Sequence, residues 1–115
     1  MTRAGSASPS EAETLRFTRD FRRVLRTGRR SRQGAIVMAR SPGRPGPPRV
    51  GFVVSRDVGG AVRRNRIKRR LRHAVRGLQL EPDMDYVIIA SDQVGTAPFG
   101  EVVEWLERAR KALST

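Results

Sequence analysis

Cysteine is absent from this 115-residue chain, which removes disulfides, thiolate nucleophiles and cysteine-ligated zinc in one step. Histidine occurs once, as His73, so no histidine pair exists for acid and base work or for a metal site. Aromatic residues are scarce, with one Trp, one Tyr and four Phe. Lysine is nearly missing too, since every cation except Lys68 and Lys111 is an arginine. No apolar run approaches the ~18 residues that a membrane-spanning helix needs. The opening residues, MTRAGSASPSEAET, lack the apolar stretch of a secretory signal. Residues 1–14 are expected to form a disordered arm, and residues 15–115 a single α+β domain, a size that supports one modest core. The missing cysteines suit a cytoplasmic protein.

Positive charge is what the chain has in excess. It carries 24 Lys and Arg against 11 Asp and Glu, for a net charge of +13 and a pI near 11.8. Such a balance calls for a polyanionic partner, nucleic acid ahead of an anionic membrane surface. The charge is also segregated: residues 1–78 hold 21 basic and 4 acidic side chains, whereas residues 79–115 hold 3 and 7. Arginine reinforces the inference, because its planar fork binds phosphate oxygens in pairs and stacks on bases.

The densest cluster is AVRRNRIKRRLRHAVRGL, where 8 of the 14 residues from Arg63 to Arg76 are basic. Ile67, Leu71, Ala74, Val75 and Leu78 recur through it at helical spacing, so a helix over 61–78 turns one stripe to a core. Asn65, Arg66, Arg69, Arg72, His73 and Arg76 then gather on the opposite side as a cationic band. Arg64 falls near the apolar stripe, but at the helix start, where it can reach past the packed region. An ordinary solvated face would interleave carboxylates; here almost none lie nearby, and the mutual repulsion asks for an anion.

The remaining elements follow from spacing. Phe17, Phe21, Val24 and Leu25 mark a first helix over 18–27, with Thr18 as N-cap and Gly28 as C-cap. Residues 35–39 (AIVMA) read as a strand, and SPGRPGPP as a loop. Val50, Phe52 and Val54 alternate in a second strand ending near Ser55. YVIIA, residues 86–90, reads as a buried central strand. A last helix places Phe99, Val102, Val103, Leu106 and Ala109 on one face, with Trp105 at the core edge. The expected fold is α+β: a two-layer sandwich in the order α-β-β-β-α-β-α, with a small mixed sheet, a third early strand left unplaced, and a parallel connection through the basic helix.

With these elements set out, the string VGFVVSRDVGGAVRRNRIKRRLR resembles the signature of the bacterial ribonuclease P protein subunit. The carriers are Val54-Ser55 closing a strand, a turn with Gly59, Ala61-Val62, and Arg64-Asn65-Arg66 followed by Ile67-Lys68-Arg69. An Asp20-Phe21 pair in the first helix and a strand before a final amphipathic helix agree, and the resemblance covers residues 15–113.

The resemblance implies a protein cofactor of a catalytic RNA that removes the 5′ leader from precursor tRNA. It also implies a left-handed strand-helix-strand crossover, against the general right-handed rule. On this footing Arg63, Arg64, Asn65, Arg66, Lys68, Arg69, Arg70 and Arg72 contact the RNA subunit. Arg16, Phe17, Phe21, Val37, Ala39 and Arg56 lie in or beside a cleft for the single-stranded leader. No residue of this chain is expected to be catalytic or to bind metal; the RNA and Mg²⁺, bound mainly by RNA and substrate, carry the hydrolysis. The partners implied are ribonuclease P RNA and precursor tRNA, with no membrane and no obligate protein partner. Ala39 stands where many members carry an aromatic residue, as does Leu25, and Asp57 sits in a turn that is usually basic.

Two other readings remain open on the residues alone. One is a ribosomal or general RNA-binding protein without a tRNA role; the other is a protein nuclease. The nuclease reading would need clustered carboxylates or a histidine pair. Asp83, Asp85 and Asp92 flank a strand and are expected to serve as turn and capping groups. For Phe17 and Phe21, core packing and partial exposure to a nucleotide stand level.

Overall fold

A computed structural model describes residues 12–114. The chain runs β1 (Glu13–Thr14), α1 (Thr18–Thr27), β2 (Arg29–Gln33), β3 (Ile36–Pro42), β4 (Arg49–Val54), α2 (Ala61–Val75), β5 (Met84–Ala90) and α3 (Phe99–Leu113). Short 3-10 turns at Arg56–Val58 and Asp92–Gly95 lead out of β4 and β5. The strands form one mixed sheet in the order β1-β4-β5-β3-β2. β4 pairs with β5 in parallel, while β3 pairs antiparallel with both β5 and β2. The parallel connection through the basic helix is therefore present, with α2 linking two neighbouring strands.

Alternation along the strands builds two cores, one on each face. Ile36, Met38, Val50, Val54, Tyr86, Ile88 and Ala90 point to one side, where they meet Ile67, Leu71 and Ala74 of α2 and Val102, Leu106 and Ala109 of α3. Ala39 and Val87 point to the other, under Val24 of α1 and Leu15, which precedes that helix. The fold is the expected α+β arrangement of helices on a small mixed sheet, with α1 on the face opposite α2 and α3.

The bounds of α1 agree with the spacing of its apolar residues, but its cap does not. Phe17, not Thr18, holds the N-cap position, and no side chain caps the helix. Gly28 ends it in extended backbone, and a Cβ there would meet the Arg40 and Val24 carbonyl oxygens. The unplaced third strand is β2, and β1 is an addition to the expected order. β2, RRSRQ, contains no apolar residue and is held by its backbone ladder to β3. β1 pairs in parallel with β4 at Glu13 and Thr14, so the expected disordered arm stops short of 14; the rest of it lies outside the described residues. α2 ends at Val75, before the expected 78, although Leu78 stays fully buried beyond it.

Candidate nucleic-acid interface

Across the face covered by α1, the register stacks three rows of side chains. The first is Arg49, Asp85 and Ser41; the second is Gly51, Val87 and Ala39; the third is Val53, Ile89 and Val37, extended onto β2 by Arg32. α1 lies along the second row. Phe21 reaches Gly51 so closely that a Cβ on the glycine would fall on the ring. Gly51→Val is therefore expected to cost about 1 to 3 kcal/mol through overpacking, read from the midpoint of a urea titration.

The first row is ionic. Asp85 is 1% exposed and accepts from Arg49 Nε at 2.8 Å and Arg49 Nη2 at 2.6 Å. Arg23 of α1 donates to the same carboxylate, and Asp20 lies 3.7 Å from Arg49. The hydrogen bond to Asp85 raises the Arg49 guanidinium above its ordinary pKa, outweighing the opposing effect of burial. Asp85 is thus neither a turn nor a cap residue but the buried anchor of α1. Asp83 does serve as a turn residue: its φ is 65° and its carboxylate accepts from the Gly46 amide. Asp92 instead pairs with Arg63.

The third row remains open. Val37, Val53 and Ile89 are only half-buried, and Phe21, Leu25, Val53 and Ile89 flank the small buried cluster of this face. Helical phase places Phe21 and Leu25 on the flank of α1 away from Asp20 and Arg23. The result is a shallow apolar cleft with arginine at its rim. Arg32 sits in register with Val37, Arg30 donates to the Leu25 carbonyl, and Arg56 is exposed in the turn just past Val53 and Val54. Phe17 is 56% exposed, with the Arg19 guanidinium 5.2 Å from its ring centre, and Arg16 beside it is exposed. Of the residues expected in the cleft, Ala39 requires correction. It is 0% exposed, because α1 covers the second row, so it supports the cleft from beneath and offers no contact surface.

The opposite side of the molecule carries α2. Ile67, Leu71, Ala74 and Val75 are buried, while Asn65, Arg66, Arg69, Arg72, His73 and Arg76 face solvent. No acidic residue occurs between Asp57 and Glu81. Three of the expected contact residues are partly engaged within the protein. Arg63 donates its Nε to Asp92 at 2.7 Å, Arg64 donates to the Gly59 carbonyl at 2.6 Å, and Arg70 donates to the Val94 carbonyl. Each guanidinium has five N–H donors, so these bonds orient the groups without exhausting them. Lys68 is half-buried.

Pockets flank this helix on both sides. One, of about 420 Å³, lies between α2 and the β1-β4 edge and includes Glu13, Phe52, Arg72 and Arg76. The other, of about 380 Å³, is formed by Arg66, Arg69, Arg70, His73 and Phe99. Spacing had placed Phe99 on the core stripe of α3; it is instead 43% exposed. Arg76, His73 and Phe99 were outside the expected contact set, and only the helical phase of the first two signalled them. Among the described residues, no three His, Asp or Glu side chains come together as metal ligands. No described helix is long and apolar enough to cross a membrane.

Comparison with known proteins places this geometry. Residues 10–114 match the family model described as Ribonuclease P. The ribonuclease P protein component of Acidothermus cellulolyticus is 44% identical over 99 residues, covering 82% of each chain. That of Streptomyces avermitilis is 38% identical over 110 residues, covering 86% of this chain and 89% of the relative. A relative from Brucella suis is 50% identical over 64 residues, but the match spans 45% of its length. Among solved structures, the ribonuclease P protein of Thermotoga maritima superimposes with a TM-score of 0.75 at 29% identity, over 87% of this chain and 96% of that one. The arginine-rich helix, the mixed sheet that carries it and these matches agree: the chain belongs to the ribonuclease P protein family.

Proposed function

We propose that this chain is the protein cofactor of ribonuclease P, docking on the catalytic RNA through α2 and holding the 5′ leader of precursor tRNA in the cleft beside α1. The observation that carries the reading is the separation of two unlike surfaces. α2 offers a rigid cationic face with no carboxylate in it, suited to backbone phosphates of a folded RNA. The α1 cleft offers apolar floor, exposed Phe17 and arginine rim, suited to single-stranded nucleotides that stack and thread. The sheet lies between them and fixes their spacing.

In this mechanism the protein's residues bind and orient. Asn65, Arg66, Arg69, Arg72 and Arg76 neutralise RNA phosphates, with Arg63, Arg64, Lys68 and Arg70 at the margins of the contact. Arg16, Phe17, Phe21, Val37 and Arg56 grip the leader, so that the scissile bond reaches the RNA active site in one geometry and the entropy of alignment is met by binding. Mg²⁺ would be held by RNA and substrate; within the protein, buried Asp85 and half-buried Asp20 are engaged by arginine. The endonucleolytic step belongs to the RNA, in a cytoplasmic particle.

Reconstitution tests this. At low Mg²⁺, adding the protein to ribonuclease P RNA should accelerate leader removal, and the particle should bind precursor tRNA about tenfold or more tighter than mature tRNA, the scale of one stacked base or more. Equal binding of precursor and mature tRNA rejects the leader cleft. Leader removal by the protein without RNA rejects the division of labour.

A further inference from the structure

We infer that the pocket between α2 and the start of α3 holds one unstacked nucleotide of the RNA subunit, its base against Phe99 and its phosphate among Arg66, Arg69 and His73. The inference rests on the docking of α2 on that RNA and adds a specific contact to it. A helix that read only duplex phosphates would need cations alone. Here a large ring stands among them: Phe99 keeps 43% of its surface in solvent, whereas Val102, Leu106 and Ala109 of the same helix are fully buried.

The pocket is organised around that ring. The Arg70 guanidinium lies 5.9 Å from the Phe99 centre and is tethered by its bond to the Val94 carbonyl, so ring and cation are held as one unit. Arg66, Arg69 and His73 complete a lining without a carboxylate, around a space of about 380 Å³. That volume falls in the range of small-ligand sites. A base stacks on the aromatic face, and its phosphate stays within reach of two arginine forks and an imidazole. The groove on the other flank of α2 also has an aromatic beside arginine, Phe52 with Arg72 at 5.9 Å. Glu13 lines that groove and opposes a phosphate there.

Stacking and phosphate neutralisation differ in their salt dependence, which gives the test. Affinity for ribonuclease P RNA is measured against salt for the full-length wild type, Phe99→Leu, Phe99→Tyr and Arg69→Ala. Phe99→Leu should weaken binding about tenfold with the slope of log affinity against log salt unchanged, and Phe99→Tyr should bind as wild type does. Arg69→Ala should reduce that slope by about one. In the wild-type complex a base-modifying reagent should find one or a few unpaired bases protected, and Phe99→Leu should expose them. Undiminished affinity in Phe99→Leu overturns the inference, as does a loss that Phe99→Tyr fails to restore, or the absence of any base whose protection depends on Phe99. Failure of the wild type to bind the RNA is a separate result, and rejects the docking of α2 itself.

Discussion

Asp85→Ala is expected to destabilise the protein by about 3 to 5 kcal/mol, because it leaves the buried Arg49 without its counter-charge. Total stabilities of domains this size run to about 5 to 15 kcal/mol, so much of the margin goes with one carboxylate. Three elements meet there: Arg23 from α1, Arg49 from β4 and Asp85 from β5. Asp20 adds a second, weaker tie at 3.7 Å to Arg49. Denaturant unfolding of Asp85→Ala and Asp85→Asn measures the effect, with asparagine milder because its amide oxygen still accepts. A loss below about 1 kcal/mol for alanine would mean that the network has the worth of a surface pair. The functional signature should be asymmetric. Loosening α1 degrades the leader cleft, whereas α2 lies on the other face of the sheet, so any folded fraction should lose precursor discrimination before affinity for the RNA subunit.

The second large effect has the opposite profile. Replacing Arg66, Arg69, Arg72 and Arg76 together with alanine should lower affinity for ribonuclease P RNA about a thousandfold near physiological salt, and reduce the salt slope by roughly three to four. The free protein should not be destabilised by removing these exposed guanidinium groups, because the like-charge repulsion along α2 is relieved. Binding isotherms across a salt series, paired with thermal melts of the free variant, separate the two quantities. A slope that stays at the wild-type value would show that the phosphates are contacted elsewhere.

Periodicity carried much of the fold. The apolar repeat of α1, the alternation in β4 and the stripe in α2 are each local signals of one inward side, and the structure turns those sides to the core, although Phe17 at the start of α1 stays exposed. What spacing could not supply was pairing across distance. Nothing in RRSRQ marks β2, because an edge strand whose side chains stay largely in solvent needs only its backbone. Asp85 looked like a strand-flanking turn residue since its partners lie 36 and 62 positions away in sequence. Phe99 matched the core period of α3, yet as the first residue of that helix, after Pro98, it lies beyond the packed region. The basic helix was legible because its charge and its stripe both follow the helical repeat. The cleft was less so, since the same register that leaves Val37 half-open places Ala39 beneath α1, and only the crossing position of that helix decides which row is covered.

The topology has a consequence for the order in which the molecule can be made. β5 lies between β3 and β4 in the sheet yet follows both in the chain, so the ladders at the centre cannot form until residue 90 has been synthesised. Until then β3 and β4 have no strand to join them, and the core around Ile67 and Leu71 lacks Tyr86 and Ile88. The arginine-rich segment is made before the central strand that completes its core. Long-range closure of this kind is slow relative to local helix formation. During synthesis the segment is therefore available to RNA before it is fixed on the sheet, and the late arrival of seven residues, Met84–Ala90, completes the core that sets its orientation.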